Sequence, residues 1–373
     1  MATHIRAEIA AAGGWIPFAR YMDLALYAPG LGYYAAGAAK FGEAGDFVTA
    51  PEMSPLFAAA LATQVAAILA ATREREVLEL GAGSGRLAAG LLNALAAHDA
   101  LPARYAILEP SPDLRARQQA LLAAEAALHV ARVEWIDALP PQLSGAVVAN
   151  EVLDAVPAHL VVRQAGAYLE RGVIVAGAAL DASPGFAWAD RPAPDALAAV
   201  AAARFPPHGD YMSEFNPAAE ALVATVARML AAGAALFIDY GFPAAEYYHS
   251  QRDAGTLMCH YRHRSLTDPF AWPGLADITA HVDFTAMAVA GVAGGLSVAG
   301  FAPQAPFLLG CGILDRLAAV GAPDTVPYIR AAAPVQKLLS PAEMGELFKV
   351  LALAKSDGIA WPGFALADRS HRL

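Results

Sequence analysis

The sequence predicts an α/β fold in which a mostly parallel sheet is wrapped by helices on both faces. Three observations carry that prediction. From residue 75 onward short apolar segments alternate with helical ones, the pattern of strands joined by crossover helices. A run of glycines closes the first apolar segment. Polar residues, most of them carboxylates, stand at the carboxyl ends of the apolar segments, where open α/β sheets bind ligands.

The elements follow in order. Glu76-Val77-Leu78-Glu79-Leu80 reads as the first strand, and the glycine turn leads into a helix marked by Leu87, Leu91, Leu92 and Leu95. Tyr105-Ala106-Ile107-Leu108 is the second strand, ending at Glu109, with a helix from about Pro112 to Leu128. Val133-Glu134-Trp135-Ile136 is the third and ends at Asp137. Ala146-Val147-Val148-Ala149 is the fourth, running into Asn150-Glu151. Ala234-Ala235-Leu236-Phe237-Ile238 is the fifth, running into Asp239-Tyr240-Gly241. The apolar run after Asp283 reads as a helix and a late sheet strand.

This alternation sets the expected domains. Residues 1–72 form a helical N-terminal extension and lid with a Gly/Tyr-rich loop, and 73–158 form the first half of the core. Residues 159–232 are an inserted arm, in which His159 to Arg163 and Tyr168 to Val175 flank the hairpin signal Gln164-Ala165-Gly166-Ala167. Residues 233–373 complete the core, with a long substrate loop at 241–283 rich in Tyr, His and Arg.

Composition narrows the function classes. The chain has 373 residues, 57% of them hydrophobic, yet 92 are alanine, so larger apolar residues make up an ordinary share. The mean hydropathy of +0.41 therefore does not imply a membrane protein. The uncharged run Met53 to Thr72 has helical spacing, and Phe284 to Leu314 is cut by Gly294, Gly295, Gly300, Pro303 and Pro306. A net charge of -10 disfavours nucleic acid, and two cysteines exclude a disulfide framework or a cysteine-rich metal site. The expected location is cytoplasmic, with no metal and no membrane insertion.

The strongest local motif is Val77-Leu78-Glu79-Leu80-Gly81-Ala82-Gly83-Ser84-Gly85. Glycines here permit a sharp turn and close approach to a ligand. The spacing is G-x-G-x-G, and Arg86 stands where the dinucleotide fingerprint has its third glycine. Glu79 inside the strand suits the cationic methionine part of S-adenosylmethionine (SAM). Glu109 suits the ribose hydroxyls of either SAM or NAD, and Asp137 the adenine amino group. Three carboxylates fit a cationic cofactor better than a pyrophosphate, so SAM is expected, with NAD and an empty glycine turn as the alternatives. The expected cofactor-binding set is Asp46, Glu79, Gly81, Gly83, Gly85, Glu109, Asp137 and Asn150.

The chain resembles the MidA-type family of SAM-dependent methyltransferases, which includes the mitochondrial protein-arginine methyltransferase that assists assembly of respiratory complex I. The matching segments are Gly45-Asp46-Phe47-Val48-Thr49-Ala50-Pro51-Glu52, the Glu79 to Gly85 turn, and Asn150-Glu151-Val152-Leu153-Asp154-Ala155-Val156-Pro157. Asp239-Tyr240-Gly241 and Ala276-Asp277-Ile278-Thr279-Ala280-His281-Val282-Asp283-Phe284 follow. Ala82, Ser84 and Val152-Leu153 depart from the pattern of many members. The resemblance implies a class I methyltransferase sheet and a protein substrate presenting an arginine side chain, a respiratory complex I subunit among the candidates. A homodimer is one assembly it allows.

Guanidinium is a poor nucleophile with a pKa above about 12, so its methylation needs carboxylates that grip it and aim one nitrogen. Glu151 is the expected principal ligand and Asp154 its support, sharing a face if that stretch turns helically. Asp46 is expected at the methionine end of SAM or in a lid. Asp239 and Tyr240 are expected to line the substrate pocket. His281 and Asp283, two apart in an extended segment, are expected to orient the substrate loop. Readings from other classes are a SAM-binding assembly factor without catalysis and an NAD-dependent oxidoreductase.

Overall fold

A computed structural model describes residues 1–35, 49–177, 185–262 and 264–373. The chain divides into two compact units. Met1–Phe47, Asp154–Glu220 and Pro243–Asp283 make the first, and Val48–Leu153, Ala221–Phe242 and Phe284–Leu373 make the second.

The second unit holds the sheet. Its strands are β1 (Glu76–Leu80), β2 (Arg104–Leu108), β3 (Val133–Ile136), β4 (Leu143–Asn150), β5 (Leu230–Phe242), β6 (Ser297–Pro303) and β7 (Phe348–Ala354). They lie in the order β3-β2-β1-β4-β5-β7-β6. The neighbours from β3 to β5 are parallel, whereas β7 is antiparallel to both β5 and β6. The order reverses between β1 and β4, the switch point where open α/β sheets keep their ligand crevice. The five predicted strands are all present, and β5 is longer at both ends. β7 has no counterpart in the sequence reading. Every residue of it is buried, so it has no alternation to announce a strand, and its partners are more than a hundred residues earlier or about fifty.

Helices α1 (Pro55–Ala70), α2 (Arg86–Ala97) and α3 (Pro112–Glu125) pack in this unit. Ser54 and Ser111 cap α1 and α3 through their Oγ atoms, and each helix opens on proline, which has no amide to leave unsatisfied. The abundance of small residues has a packing consequence: a Cβ on Gly90 of α2 would lie 2.5 Å from the Cβ of Ala58 on α1. The two helices approach closely because neither carries bulk there. Among the described residues no helix is long and apolar enough to cross a membrane. The Met53 to Thr72 run contains α1, and the run after Asp283 forms a helix (Phe284–Ala293), then β6, then a helix (Gln304–Gly310).

The first unit gathers three stretches distant in sequence. His159–Gln164 and Ala167–Val175 pair as the predicted hairpin, with Ala165 (φ 48°) and Gly166 (φ 83°) in the left-handed pair that such a turn requires. Phe186–Pro192 and Tyr211–Phe215 flank the hairpin on either side, antiparallel. A smaller sheet places Met258–Tyr261 between Arg264–Leu266 and Asp277–Thr279. Phe18, Tyr21, Phe186 and Phe270 form its aromatic core.

Candidate active site

The glycine turn leaves β1 at the switch point. Gly81, Gly83 and Gly85 all have left-handed backbones, with φ of 62°, 55° and 91°. A Cβ on Gly81 would meet Cγ2 of Val152 at 3.3 Å, and one on Gly85 would meet Cα of Gln118 at 3.2 Å. The backbone conformation disfavours side chains at all three, and at Gly81 and Gly85 the neighbours would also have to give way. The turn is also braced from outside. Glu52 accepts hydrogen bonds from the Ser84 hydroxyl and from Arg86 Nε, the latter at 2.8 Å. Asp46 lies outside the described residues; Glu52, at the other end of the GDFVTAPE motif, makes these contacts.

Glu109 is buried at the end of β2 and its carboxylate is pre-aimed. Oε1 accepts from the backbone N–H of Ser111 at 3.0 Å, and Oε2 from Gln118 Nε2 at 3.1 Å. Gln118, fully buried on α3, also donates to the carbonyl of Gly83 at 3.0 Å and accepts from Trp135 Nε1 at 2.9 Å. One amide thus ties the glycine turn, β2 and β3 together.

Glu79 and Asp137 contrast with it. Glu79 is buried in β1 and accepts from the Tyr105 hydroxyl at 2.5 Å. Burial pushes its carboxyl up to about 7, the Tyr105 hydrogen bond opposes this, and the charge of Glu109 adds to the rise. Asp137 is exposed, its side chain 89% accessible, and it pairs with Arg115 Nη2 at 2.6 Å. Arg115 also donates to the carbonyls of Glu109 and Ile136, bracing the ends of β2 and β3.

The residues expected to receive the acceptor lie at the ends of β4 and β5. Glu151 has φ 54°, a left-handed conformation that costs a non-glycine residue about 1 kcal/mol or more. The chain holds it there: the Glu151 N–H donates to the Ile238 carbonyl at 2.8 Å, and Asn150 Nδ2 donates to Glu151 Oε1 at 3.0 Å. Asp239 is 1% exposed and its carboxylate takes three backbone amides, Val152 at 3.2 Å, Leu153 at 2.9 Å and Tyr240 at 3.0 Å. It fixes the segment that follows Glu151. Tyr240 packs its ring edge against Phe348 at 5.4 Å.

The helical turn expected over Glu151–Asp154 does not form; the segment bends and turns, and the chain passes from one unit to the other between Leu153 and Asp154. The left-handed Glu151 and the amide clamp on Asp239 are incompatible with an α-turn. Asp154 is buried in the first unit, where its carbonyl accepts from the Ala280 N–H at 3.0 Å. Nearby the Tyr34 hydroxyl donates to Asp277 Oδ1 at 3.1 Å, and the Tyr27 and Tyr34 rings stack at 5.6 Å. Burial first, and then Asp277, Tyr27 and Asp154, push the Tyr34 hydroxyl well above its ordinary range. In the same unit Asp283 accepts from the Tyr248 hydroxyl at 3.1 Å and lies 3.5 Å from Arg204. The backbone of His281 bonds Thr256 Oγ1 through N–H and the Tyr247 hydroxyl through C=O.

The sequence reading assigned no role to Glu52, Gln118, Tyr105 or Arg115. Glu52 alone carried a signal, its place in the most distinctive motif. Cys259 and Cys311 are buried, and burial pushes both thiols up to about 12, so neither is a nucleophile. Among the described residues no group of three or more His, Cys, Asp or Glu is arranged to hold a metal ion.

The residues present fit SAM. Three left-handed glycines open backbone space at the switch point, and a buried carboxylate pre-aimed at the next strand end matches a ribose diol. Sheet order, glycine turn and strand-end carboxylates together define a class I SAM-dependent methyltransferase. The comparisons agree, and the chain belongs to the family described as "Putative S-adenosyl-L-methionine-dependent methyltransferase", whose model matches residues 60–302. That is the MidA-type family that the motifs resemble. A Burkholderia thailandensis protein crystallised with S-adenosyl-homocysteine (SAH) is 55% identical, with a TM-score of 0.94 over 100% of this chain and 96% of its own. The Drosophila melanogaster "Protein arginine methyltransferase NDUFAF7 homolog, mitochondrial" is 30% identical over 95% of this chain and 84% of its own. Its Mus musculus counterpart is 28% identical over the same shares.

Proposed function

We propose that the protein is a protein-arginine N-methyltransferase in which Glu151 grips the acceptor guanidinium. The observation that carries this reading is a carboxylate held at the carboxyl end of β4, beside the glycine turn, in a backbone conformation that only surrounding hydrogen bonds maintain. The names of relatives at 28–30% identity support the same substrate class. When bound, SAM supplies an electrophilic methyl group on a sulfonium. Glu151 offers a bidentate partner for the guanidinium fork, fixing one nitrogen in line for attack. The attacking nitrogen must also shed a proton once it is alkylated, and Glu151 is placed to receive it.

The test uses labelled SAM and a hypomethylated protein extract, with acid hydrolysis to identify the modified residue. Methylarginine is the expected product. Glu151→Gln is expected to lower its rate about 1000-fold, since a charge-assisted bidentate contact and a proton acceptor are both lost, while SAH affinity stays within a few-fold. Label on another residue type, or undiminished transfer by the variant, overturns the proposal.

A further inference from the structure

Asn150 has a second hand for which the described residues offer no partner. It is 9% exposed and ends β4 one position before Glu151. Its amide is oriented without ambiguity: a carboxylate oxygen 3.0 Å away can only accept, so the atom facing Glu151 Oε1 is the NH₂ and the other is the carbonyl oxygen. That Oδ1 is buried and has no hydrogen-bond partner among the described residues. Buried side-chain acceptors are paired in the great majority of folded proteins, and an exception at a strand end beside the glycine turn calls for a donor beyond the described residues, such as a bound ligand.

The position indicates which donor. In the β1–β4 register Leu80 pairs with Ala149, so Asn150 stands level with the start of the glycine turn, while Val152 lies over Gly81. Asn150 and Glu151 are joined by their own hydrogen bond, which sets a neutral acceptor beside an anionic one. A guanidinium presents five N–H donors in one plane, more than a single carboxylate can take.

We propose that Asn150 Oδ1 accepts an N–H of the same guanidinium that Glu151 grips, making Asn150 a specificity residue for the acceptor rather than for the cofactor. The inference rests on the arginine reading above. Two neighbouring acceptors of different charge distinguish the nitrogens of the fork: the carboxylate takes a donor pair, and the amide oxygen turns the remaining amino group toward the methyl donor. A lysine ammonium, with three donors about a single point, would lack that planar match.

The experiment uses the full chain, labelled SAM and the hypomethylated extract, with Asn150→Ala and Asn150→Asp measured beside Glu151→Gln. SAH affinity by calorimetry and the melting temperature show that each variant is folded and loads cofactor. The expected result for Asn150→Ala is a fall of 30-fold or more in saturated methylarginine formation. The extract concentration for half-saturation and the SAH Kd should each stay within threefold. Asn150→Asp, which keeps an acceptor oxygen but sets a second carboxylate against Glu151, should also transfer slowly with SAH binding retained. If SAH affinity of Asn150→Ala falls in step with the rate, the oxygen serves the cofactor and the proposal is overturned. An unchanged rate overturns it too. Should Glu151→Gln transfer normally, the arginine-grip reading fails instead, whatever Asn150 does.

Discussion

The glycine-turn side and the proposed acceptor side of the sheet edge are finished to different degrees by the protein itself. Around the glycine turn the polar groups are pre-aimed: Gln118 and Ser111 hold Glu109, Tyr105 holds Glu79, and Glu52 holds the turn from outside. At the ends of β4 and β5 the chain instead maintains a left-handed Glu151 and an Asn150 oxygen without a partner among the described residues, and the buried Asp239 carboxylate holds the segment that follows. The difference teaches where free energy is stored. In the proposed reading the cofactor meets a cradle of carboxylates that the protein already holds, whereas an acceptor guanidinium would bring donors to groups kept in an unfavourable arrangement.

After Glu151→Gln, the largest expected effect again tests the proposed acceptor side. Asp239→Ala strips three backbone amides of their shared acceptor, and buried amides left unpaired cost about 1–3 kcal/mol each. Methyl transfer should fall about 100-fold, because a misplaced reacting group loses that much, with a lowered melting temperature and a smaller loss of SAH affinity. Equal losses of affinity and rate would erase the distinction between the two sides.

Glu109→Ala is the matching break on the cofactor side. Losing a charged acceptor for a hydroxyl pair removes about 2–3 kcal/mol, so SAH affinity by calorimetry should drop about 50-fold. The rate at saturating SAM should change far less. A rate collapse with normal affinity would contradict the cradle.

Glu79 gives a pH signature. Its folded carboxyl stands at about 7 against an ordinary 4.5, so the folded state holds the proton more tightly than the unfolded chain. Its contribution is fully present below about pH 4.5 and is lost as pH rises to about 7, a loss on the order of 3 kcal/mol at most. In the cofactor-free protein, Glu79→Gln should flatten that fall in denaturation midpoints between pH 5 and 8. A wild-type curve parallel to the variant's would show that Glu79 is not desolvated as described.

Asp137→Ala should matter least. The carboxylate is exposed and its ion pair with Arg115 is worth well under 1 kcal/mol, so SAH affinity should change less than about threefold. A larger loss would mean that Asp137 receives part of the cofactor directly, and would extend the cradle to β3.

How much of this was legible depended on range. The five parallel strands and their polar ends were readable because apolar strand runs and glycine turns are local properties, fixed within five to nine residues. β7 was not, since a uniformly buried strand has no period to read. The clamp of Asp239 on Val152 and Leu153 spans more than eighty residues, and the brace of Glu52 on Ser84 spans thirty-two. A carboxylate's sequence position says where its strand ends; whether it faces a ligand, an amide or solvent is settled by what else arrives there. Glu109 and Asp137 follow strand ends and Asp239 lies near one, yet one is pre-aimed, one is solvated and one is consumed by the backbone.

The sequence by itself determined the alternation, the glycine turn and the set of carboxylates at the strand ends, because each follows from side-chain period or backbone freedom at one place in the chain. Tertiary structure alone decided the antiparallel insertion of β7 and the left-handed Glu151. It also decided the division that leaves Glu151 and Asp154 in separate units with only Val152 and Leu153 between them. These depend on hydrogen bonds between segments far apart in sequence. No local pattern encodes such a bond until the fold brings its donor and acceptor together.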